Sequence, residues 1–188
     1  MMDRRRALMM AGQGATPRLP SAYQEVEWIG GNGMPDPTMF PYISPGIKAQ
    51  NGDFFKVHFK PIQIATECVV IGQNISPQME LYYTSPTKIN VYLLKSASLT
   101  VGTPYDVVTA YGESRTNNTY KIGYWSNTAK CVSEYKLFYF LHRRNGVDLL
   151  ELIPCYRKSD NVIGMYDLVS GTFFTNAGTG TFTKGGNV

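Results

Sequence analysis

The chain has 188 residues, of which 13% are aromatic and 17% are charged. This length suits one medium-sized domain with its own core, and the aromatic content excludes a disordered chain, which would be rich in charge instead. The formal net charge of +4 is concentrated at the start, because residues 1–18 contain four arginines and one aspartate. The remaining body, residues 19–188, is therefore nearly neutral, which argues against a nucleic-acid-binding protein with a basic face.

Residues 1–18 are predicted to form an extended, basic N-terminal arm or anchor, and the alternative is a frayed terminus. The candidate anchoring side chains are three cations for an acidic surface and three apolar residues for a groove: Arg4, Arg5, Arg6, Leu8, Met9 and Met10. The apolar stretch is about half the length of a signal-peptide core, so we expect no classical secretion. No apolar run approaches the roughly 20 residues of a membrane-spanning helix, so we expect no membrane partner.

From residue 19 onward, short apolar or alternating runs recur between prolines and glycines. Alternation is clearest at residues 54–59, where Phe55, Val57 and Phe59 share one face and Lys56 and His58 the other. The other predicted strands before residue 130 are residues 25–29, 67–72, 79–84, 88–94, 105–111 and 119–125. We find no convincing helix in the body.

The strongest local signal is a hairpin formed by residues 135–143 and 147–156 around Asn145-Gly146. Asn-Gly between two apolar runs is typical of a type I′ turn, because both central residues need a positive φ. Strict alternation would place Leu137, Tyr139 and Leu141 on one face of the first strand, with both faces apolar. That strand would then lie in the middle of a sandwich, or its outer face would meet another chain. Residues 162–166, 172–175 and 181–184 complete the predicted strands, and this many short strands at even spacing predict a sandwich or barrel.

Several segments resemble proteins common in phages and prophages of gut bacteria. They are residues 19–29 (LPSAYQEVEWI), 41–47 (PYISPGI), 153–160 (IPCYRKSD), 163–176 (IGMYDLVSGTFFTN) and 178–182 (GTGTF). The basic leader is also typical of these proteins, whereas residues 34–40 resemble an insertion. The resemblance implies an all-β jelly-roll sandwich of the concanavalin A-like or laminin G-like type. It further implies a phage virion structural or tail-associated protein whose partners are other virion proteins and copies of itself.

The sequence predicts no catalytic or metal site. Glu25 and Glu27 have the alternate spacing of a glycosidase strand but lack a third acid, which leaves a degenerate glycosidase as a remote alternative. The two histidines, His58 and His142, have no acid or cysteine at ligand spacing, so we interpret them as structural.

Asp167 is predicted to cap a turn, and its loose grouping with Asp160 and Asn161 is only a weak indication of calcium. The three cysteines are odd in number and widely spaced, so we expect buried free thiols.

The leading hypothesis from the sequence is a non-enzymatic virion protein assembled in the bacterial cytoplasm and attached through its arm. The alternative is a carbohydrate-binding module that recognises host surface polysaccharide. Exposed aromatic side chains in loops are the usual platform for sugars. The candidate contacts are Tyr82, Tyr83, Tyr124 and Trp125.

Overall fold

The computed structural model describes residues 19–31, 41–50, 52–64, 68–72, 80–85, 88–91, 95–98, 100–110, 119–123 and 133–188. Within these ranges the secondary structure is entirely β, without a helical segment. The strands are β1 (Tyr23–Glu25), β2 (Ile29–Gly31), β3 (Asp53–Ile64), β4 (Cys68–Gly72), β5 (Glu80–Ser85), β6 (Lys88–Val91), β7 (Lys95–Ser98), β8 (Tyr105–Ala110), β9 (Lys121–Ile122), β10 (Ser133–Arg144), β11 (Val147–Arg157), β12 (Ile163–Asp167), β13 (Phe173–Thr175) and β14 (Phe182–Lys184). The all-β class predicted from the sequence is confirmed.

The strands form two antiparallel sheets. The larger has nine strands, with the path β13-β12-β11-β10-β2-β14, and β1, β3 and β8 attached to it. β3 pairs with β10 along almost its whole length, from Ser133 opposite Ile64 to Arg144 opposite Asp53. The other edge of β10 is shared, because β2 pairs with its first half and β11 with its second. The smaller sheet has five strands in the order β7-β6-β5-β4-β9.

One hydrophobic core is shared by the two sheets, which gives the protein a sandwich-like architecture. From the larger sheet, Phe55, Val57 and Phe59 of β3 are buried at 0–1% exposure. Ile71 of β4 and Ile122 of β9 belong to the same cluster from the smaller sheet. The alternation predicted for residues 54–59 is therefore confirmed, and its apolar face points into the core.

The predicted hairpin is present. Asn145 and Gly146 have φ values of 50° and 81°, as a type I′ turn requires. The predicted faces of its first strand are wrong, however, because β10 contains a bulge between Leu137 and Tyr139. The extra residue reverses the alternation, so Leu137 and Phe140 are both buried in the core.

One further boundary differs from the sequence prediction. Residues 25–29 are not one strand: β1 ends at Glu25 and pairs with β11, whereas β2 begins at Ile29 and pairs with β10 and β14. Of the strand predicted at residues 88–94, β6 covers Lys88–Val91, and residues 92–94 lie outside the described ranges. Among the described residues, no helix is long and apolar enough to cross a membrane.

Candidate functional site

A cluster of buried polar side chains lies where β3 begins and β10 ends. We call Asp53, Tyr120, His142 and Arg144 the buried charge cluster. Asp53 and Arg144 are directly opposite each other in the antiparallel pair. His142 lies opposite Phe55, two residues further along each strand. Asp53, Tyr120 and His142 are at most 1% exposed. The antiparallel pairing of β3 with β10 therefore brings together two residues that are 91 positions apart in sequence.

Both carboxylate oxygens of Asp53 are engaged. Arg144 donates from Nε to Oδ1 at 2.6 Å and from Nη2 to Oδ2 at 3.0 Å, and the Gln50 amide donates to Oδ2 at 2.7 Å. Nη2 of Arg144 also donates to the Lys48 carbonyl at 2.7 Å. These bonds tie the loop before β3 to the tip of the hairpin.

The imidazole of His142 lies between Asp53 and Tyr120. Its Nδ1 is 3.0 Å from the Tyr120 hydroxyl, and its ring stacks on Phe55 at a centroid distance of 4.4 Å. Its Nε2 is 3.0 Å from Asp53 Oδ2, but the two atoms do not meet the geometry of a hydrogen bond. This contact is therefore electrostatic and is weaker than a well-aligned hydrogen bond.

The electrostatics of the cluster follow from its burial. Burial alone would raise the pKa of Asp53, but the hydrogen bonds from Arg144 and Gln50 outweigh it and hold the pKa below its usual value. Burial lowers the pKa of His142, and the nearby Asp53 carboxylate opposes that shift only in part. Burial also raises the pKa of the Tyr120 phenol. Three of the four side chains of the cluster are closed to solvent, so the cluster joins the loop before β3 to the end of β10 inside the protein.

A second grouping, on the surface, is made by aromatic rings near the other end of β11. Tyr23 packs against Tyr166 and Phe173, with ring centroids 4.9 Å apart in both pairs. The Arg157 guanidinium lies 5.6 Å from the Phe173 ring centre and forms a bidentate ion pair with Asp160. We call these five residues the surface aromatic cluster. In a ligand site, aromatic ring faces supply apolar contact and adjacent charged side chains supply hydrogen bonds that orient the ligand.

Residues 22–27, near the start of the described chain, lie beside Lys158 and residues 186–188. Val26 forms a bridge with Asn187, the Glu27 amide donates to the Gly186 carbonyl at 3.0 Å, and the Lys158 amide donates to the Ala22 carbonyl at 2.9 Å. Residues 22–23 therefore lie at the Arg157 end of β11. The hairpin tip lies at the other end of this strand, and its 11 residues span about 33 Å.

The carboxylates considered in the sequence analysis have separate environments. Asp167 accepts bonds from the Glu151, Val169 and Ser170 amides at 2.8–3.1 Å, which confirms the predicted turn cap. Asp160 is held by Arg157, so it does not join Asp167 in one site. Across the described part of the chain, no three histidine, cysteine or acidic residues are grouped as metal ligands.

The remaining predicted sites are placed as follows. His58 lies in β3 with its Nδ1 2.8 Å from Asp106 Oδ1, so both histidines do have an acidic neighbour. Each acid is 48 or more positions away in sequence, so the absence of an acid at ligand spacing in the sequence is compatible with these contacts. Glu25 is half-buried in β1 and Glu27 is exposed. Cys155 is a free buried thiol whose pKa burial raises to about 12.

Other predicted contacts lie outside the described residues or side chains. The anchoring candidates Arg4, Arg5, Arg6, Leu8, Met9 and Met10, and the glycan candidates Tyr124 and Trp125, fall outside the described ranges. Tyr82 and Tyr83 belong to β5, but their side chains are not described. The insertion at residues 34–40 also lies outside these ranges.

Sequence reasoning did not identify Asp53 and Arg144 as partners. Asp53 follows a glycine at a strand start and Arg144 precedes the Asn-Gly turn, positions where solvated charges are common. Only the strand register brings them together. By contrast, Tyr23, Arg157, Tyr166 and Phe173 all lie within the segments that carry the family resemblance, which was a usable signal for the surface aromatic cluster.

Comparisons with known proteins found no matching family model, no matching curated protein and no matching solved structure.

Proposed function

We propose that this chain is a non-enzymatic structural protein of a phage virion, attached through its N-terminal arm and displaying a jelly-roll sandwich of the concanavalin A-like or laminin G-like type. The observation that carries the proposal is the separation of the two ends of β11. The first described residues, which follow the proposed arm, lie at the Arg157 end beside residues 185–188, and the hairpin tip lies about 33 Å away along the strand. Attachment at one end would leave the other directed away from the particle.

The buried charge cluster supports display of this distal end. It ties the hairpin to Lys48 and Asp53 through Arg144, so the tip is held by side-chain hydrogen bonds as well as by strand pairing. A non-catalytic role is supported by the engagement of the described aspartates. Asp53, Asp148 and Asp160 bind arginines. Asp106 lies 2.8 Å from His58, and Asp167 binds its own turn.

Deletion of residues 2–16 is the first test. The truncated protein should fold, with an unchanged circular dichroism spectrum and unfolding midpoint, and should be lost from purified particles. Changing Arg4, Arg5 and Arg6 to serine should reduce incorporation, and the matched change of the same residues to lysine should preserve it. Incorporation of the truncated protein at the wild-type level would overturn attachment through the arm.

Immunogold labelling of purified particles, with antibody against residues 19–188, tests virion localisation and position. Label on the capsid indicates a decoration or head-fibre protein, and label at the tail indicates a tail-associated protein. If the protein occurs only in the cell lysate, the virion proposal is wrong.

A second function, binding of host surface polysaccharide, is favoured by the surface aromatic cluster. Phe173 and Tyr166 are only partly buried, and Arg157 and Asp160 are 40% and 41% exposed beside them. A glycan array of host capsular and cell-wall sugars should then show binding that is lost in Phe173→Ala and kept in Phe173→Tyr. Equal binding by both variants would exclude the surface aromatic cluster as the glycan-binding site. An array without signal for the wild-type protein would exclude polysaccharide binding.

A further inference from the structure

The outer edge of β8 is the feature that the proposed function does not explain. β8 pairs with β3 from Tyr105 opposite Phe59 to Ala110 opposite Phe54, and no described strand pairs with its other edge. β8 has six residues. The other strands of the large sheet that pair with one strand only are β1, β13 and β14, and each has three residues. β8 is therefore the longest described edge of this sheet.

The edge lacks the features that usually prevent strand addition. Lysine, proline and bulges protect natural edge strands, but β8 contains no lysine, arginine or proline, and its register with β3 is continuous. Its single charge, Asp106, is 61% exposed, but its Oδ1 lies 2.8 Å from Nδ1 of His58 in the neighbouring strand β3 of its own sheet. The adjacent residue on the same face, Val108, is 56% exposed.

We propose that β8 pairs with β8 of a second copy in an antiparallel, two-fold arrangement centred on Val108. The inference rests on the proposed function in one respect, because it supplies the contact between copies that a virion protein needs. Pairing of this kind would join the two nine-stranded sheets and cover Val108 of each copy with that of the other.

The register follows from the faces and charges of β8. Directly opposite residues share a face of a sheet, so the two-fold axis of an antiparallel self-pair passes through a residue. An axis at Asp106 would place two carboxylates opposite each other, which is unfavourable. An axis at Val107 would place Asp106 opposite Val108. An axis at Val108 pairs valine with valine and places Asp106 opposite Ala110, so it is the register we expect.

Oxidative crosslinking tests this register. Opposite residues in an antiparallel pair have Cα atoms about 4.5–5.5 Å apart, within the range that a disulfide spans. Val108→Cys should form a disulfide-linked dimer under mild oxidation. Asp106→Cys should not, because its two copies would be about 14 Å apart along the strands. The wild-type protein, which has the same native cysteines, is the control. A dimer that forms with Asp106→Cys and not with Val108→Cys would overturn the proposed register.

Light scattering coupled to size exclusion tests the dimer itself. The wild-type protein should be a dimer, and Val108→Lys, which places two ammonium groups on the axis, should weaken it about tenfold or more in dissociation constant. Val147→Lys is the matched control, since Val147 is 63% exposed but lies at the hairpin tip, and it should remain dimeric. Circular dichroism of Val108→Lys checks that the fold is intact.

A monomeric wild-type protein, or equal weakening by both lysine variants, would overturn the inference. This failure is distinguishable from failure of the proposed function, because association is measured on purified protein and incorporation on particles. If a monomeric protein is incorporated into particles, the dimer inference is wrong and the virion proposal is retained. If a β8 dimer forms but the protein is absent from particles, the virion proposal is wrong and the dimer inference is retained.

Discussion

Removal of the Asp53 carboxylate should destabilise the protein strongly. In Asp53→Ala the Arg144 guanidinium, which is 22% exposed, loses its bidentate partner, and the Gln50 amide loses its acceptor. Breaking a buried ion pair by removing one partner costs about 3–5 kcal/mol. The partial exposure of Arg144 places the expected loss at the lower end of that range, about 3 kcal/mol.

The matched control lies on the same hairpin. Arg143 also binds an aspartate through two nitrogens, with Nε 2.5 Å from Asp148 Oδ1, but these side chains are 42% and 35% exposed. Asp148→Ala should therefore cost at most about 1 kcal/mol, as exposed ion pairs do. The two variants compare the same chemistry at two degrees of burial.

Urea unfolding followed by fluorescence and circular dichroism measures both losses, and equal m-values permit direct comparison of the free energies of unfolding. Asp53→Asn keeps an acceptor for Gln50 while removing the charge, so it should lose less than Asp53→Ala. A loss in Asp53→Ala no larger than that in Asp148→Ala would refute the assignment of the buried charge cluster as the stabilising element of this end.

Three further predictions concern other positions. Burial lowers the pKa of His142, so the unfolded chain binds a proton before the native protein does as the pH falls below about 6.5. The free energy of unfolding should then fall by up to about 1.4 kcal/mol per pH unit until the pH passes the lower native pKa, and His142→Gln should lack that contribution in unfolding curves at pH 7 and 5. Gly146→Ala should lose about 1 kcal/mol because of its φ of 81°, whereas Asn145→Gly at the adjacent turn position should change the midpoint little. Gly164→Ala should lose about 3 kcal/mol in the same assay, since its added methyl group would collide with the Phe174 carbonyl.

The parts of the fold that depend on local patterns could be predicted from the sequence. The hairpin was predictable because only a few residue pairs adopt two successive positive φ values. The inward face of β3 was predictable because its alternation is unbroken. The face of β10 was not, because a bulge between Leu137 and Tyr139 leaves no mark on an apolar run in which every residue suits the core.

The candidate site also contains one feature that local sequence predicted and others that it did not. The Asp167 turn cap is local and was predicted, since the acid and the amides it binds lie within a few residues, except for Glu151. The Asp53–Arg144 pair depends on the register between β3 and β10, which no local pattern specifies. The surface aromatic cluster lies in the segments that carry the family resemblance. The sugar contacts predicted from the sequence were aromatic residues elsewhere: Tyr82, Tyr83, Tyr124 and Trp125.

The pairing of the first strands with the last ones has a consequence for how the chain folds during synthesis. β1 pairs with β11, and β2 pairs with β10 and β14, so these two strands have partners more than 100 positions later in the chain. Contacts of such sequence separation require costly loop closure and slow the folding of β proteins. During synthesis β1 and β2 must therefore wait, without their partners, until the hairpin and then β14 have been made. A chain stalled before residue 182 would leave one edge of β2 without its strand partner in the cell.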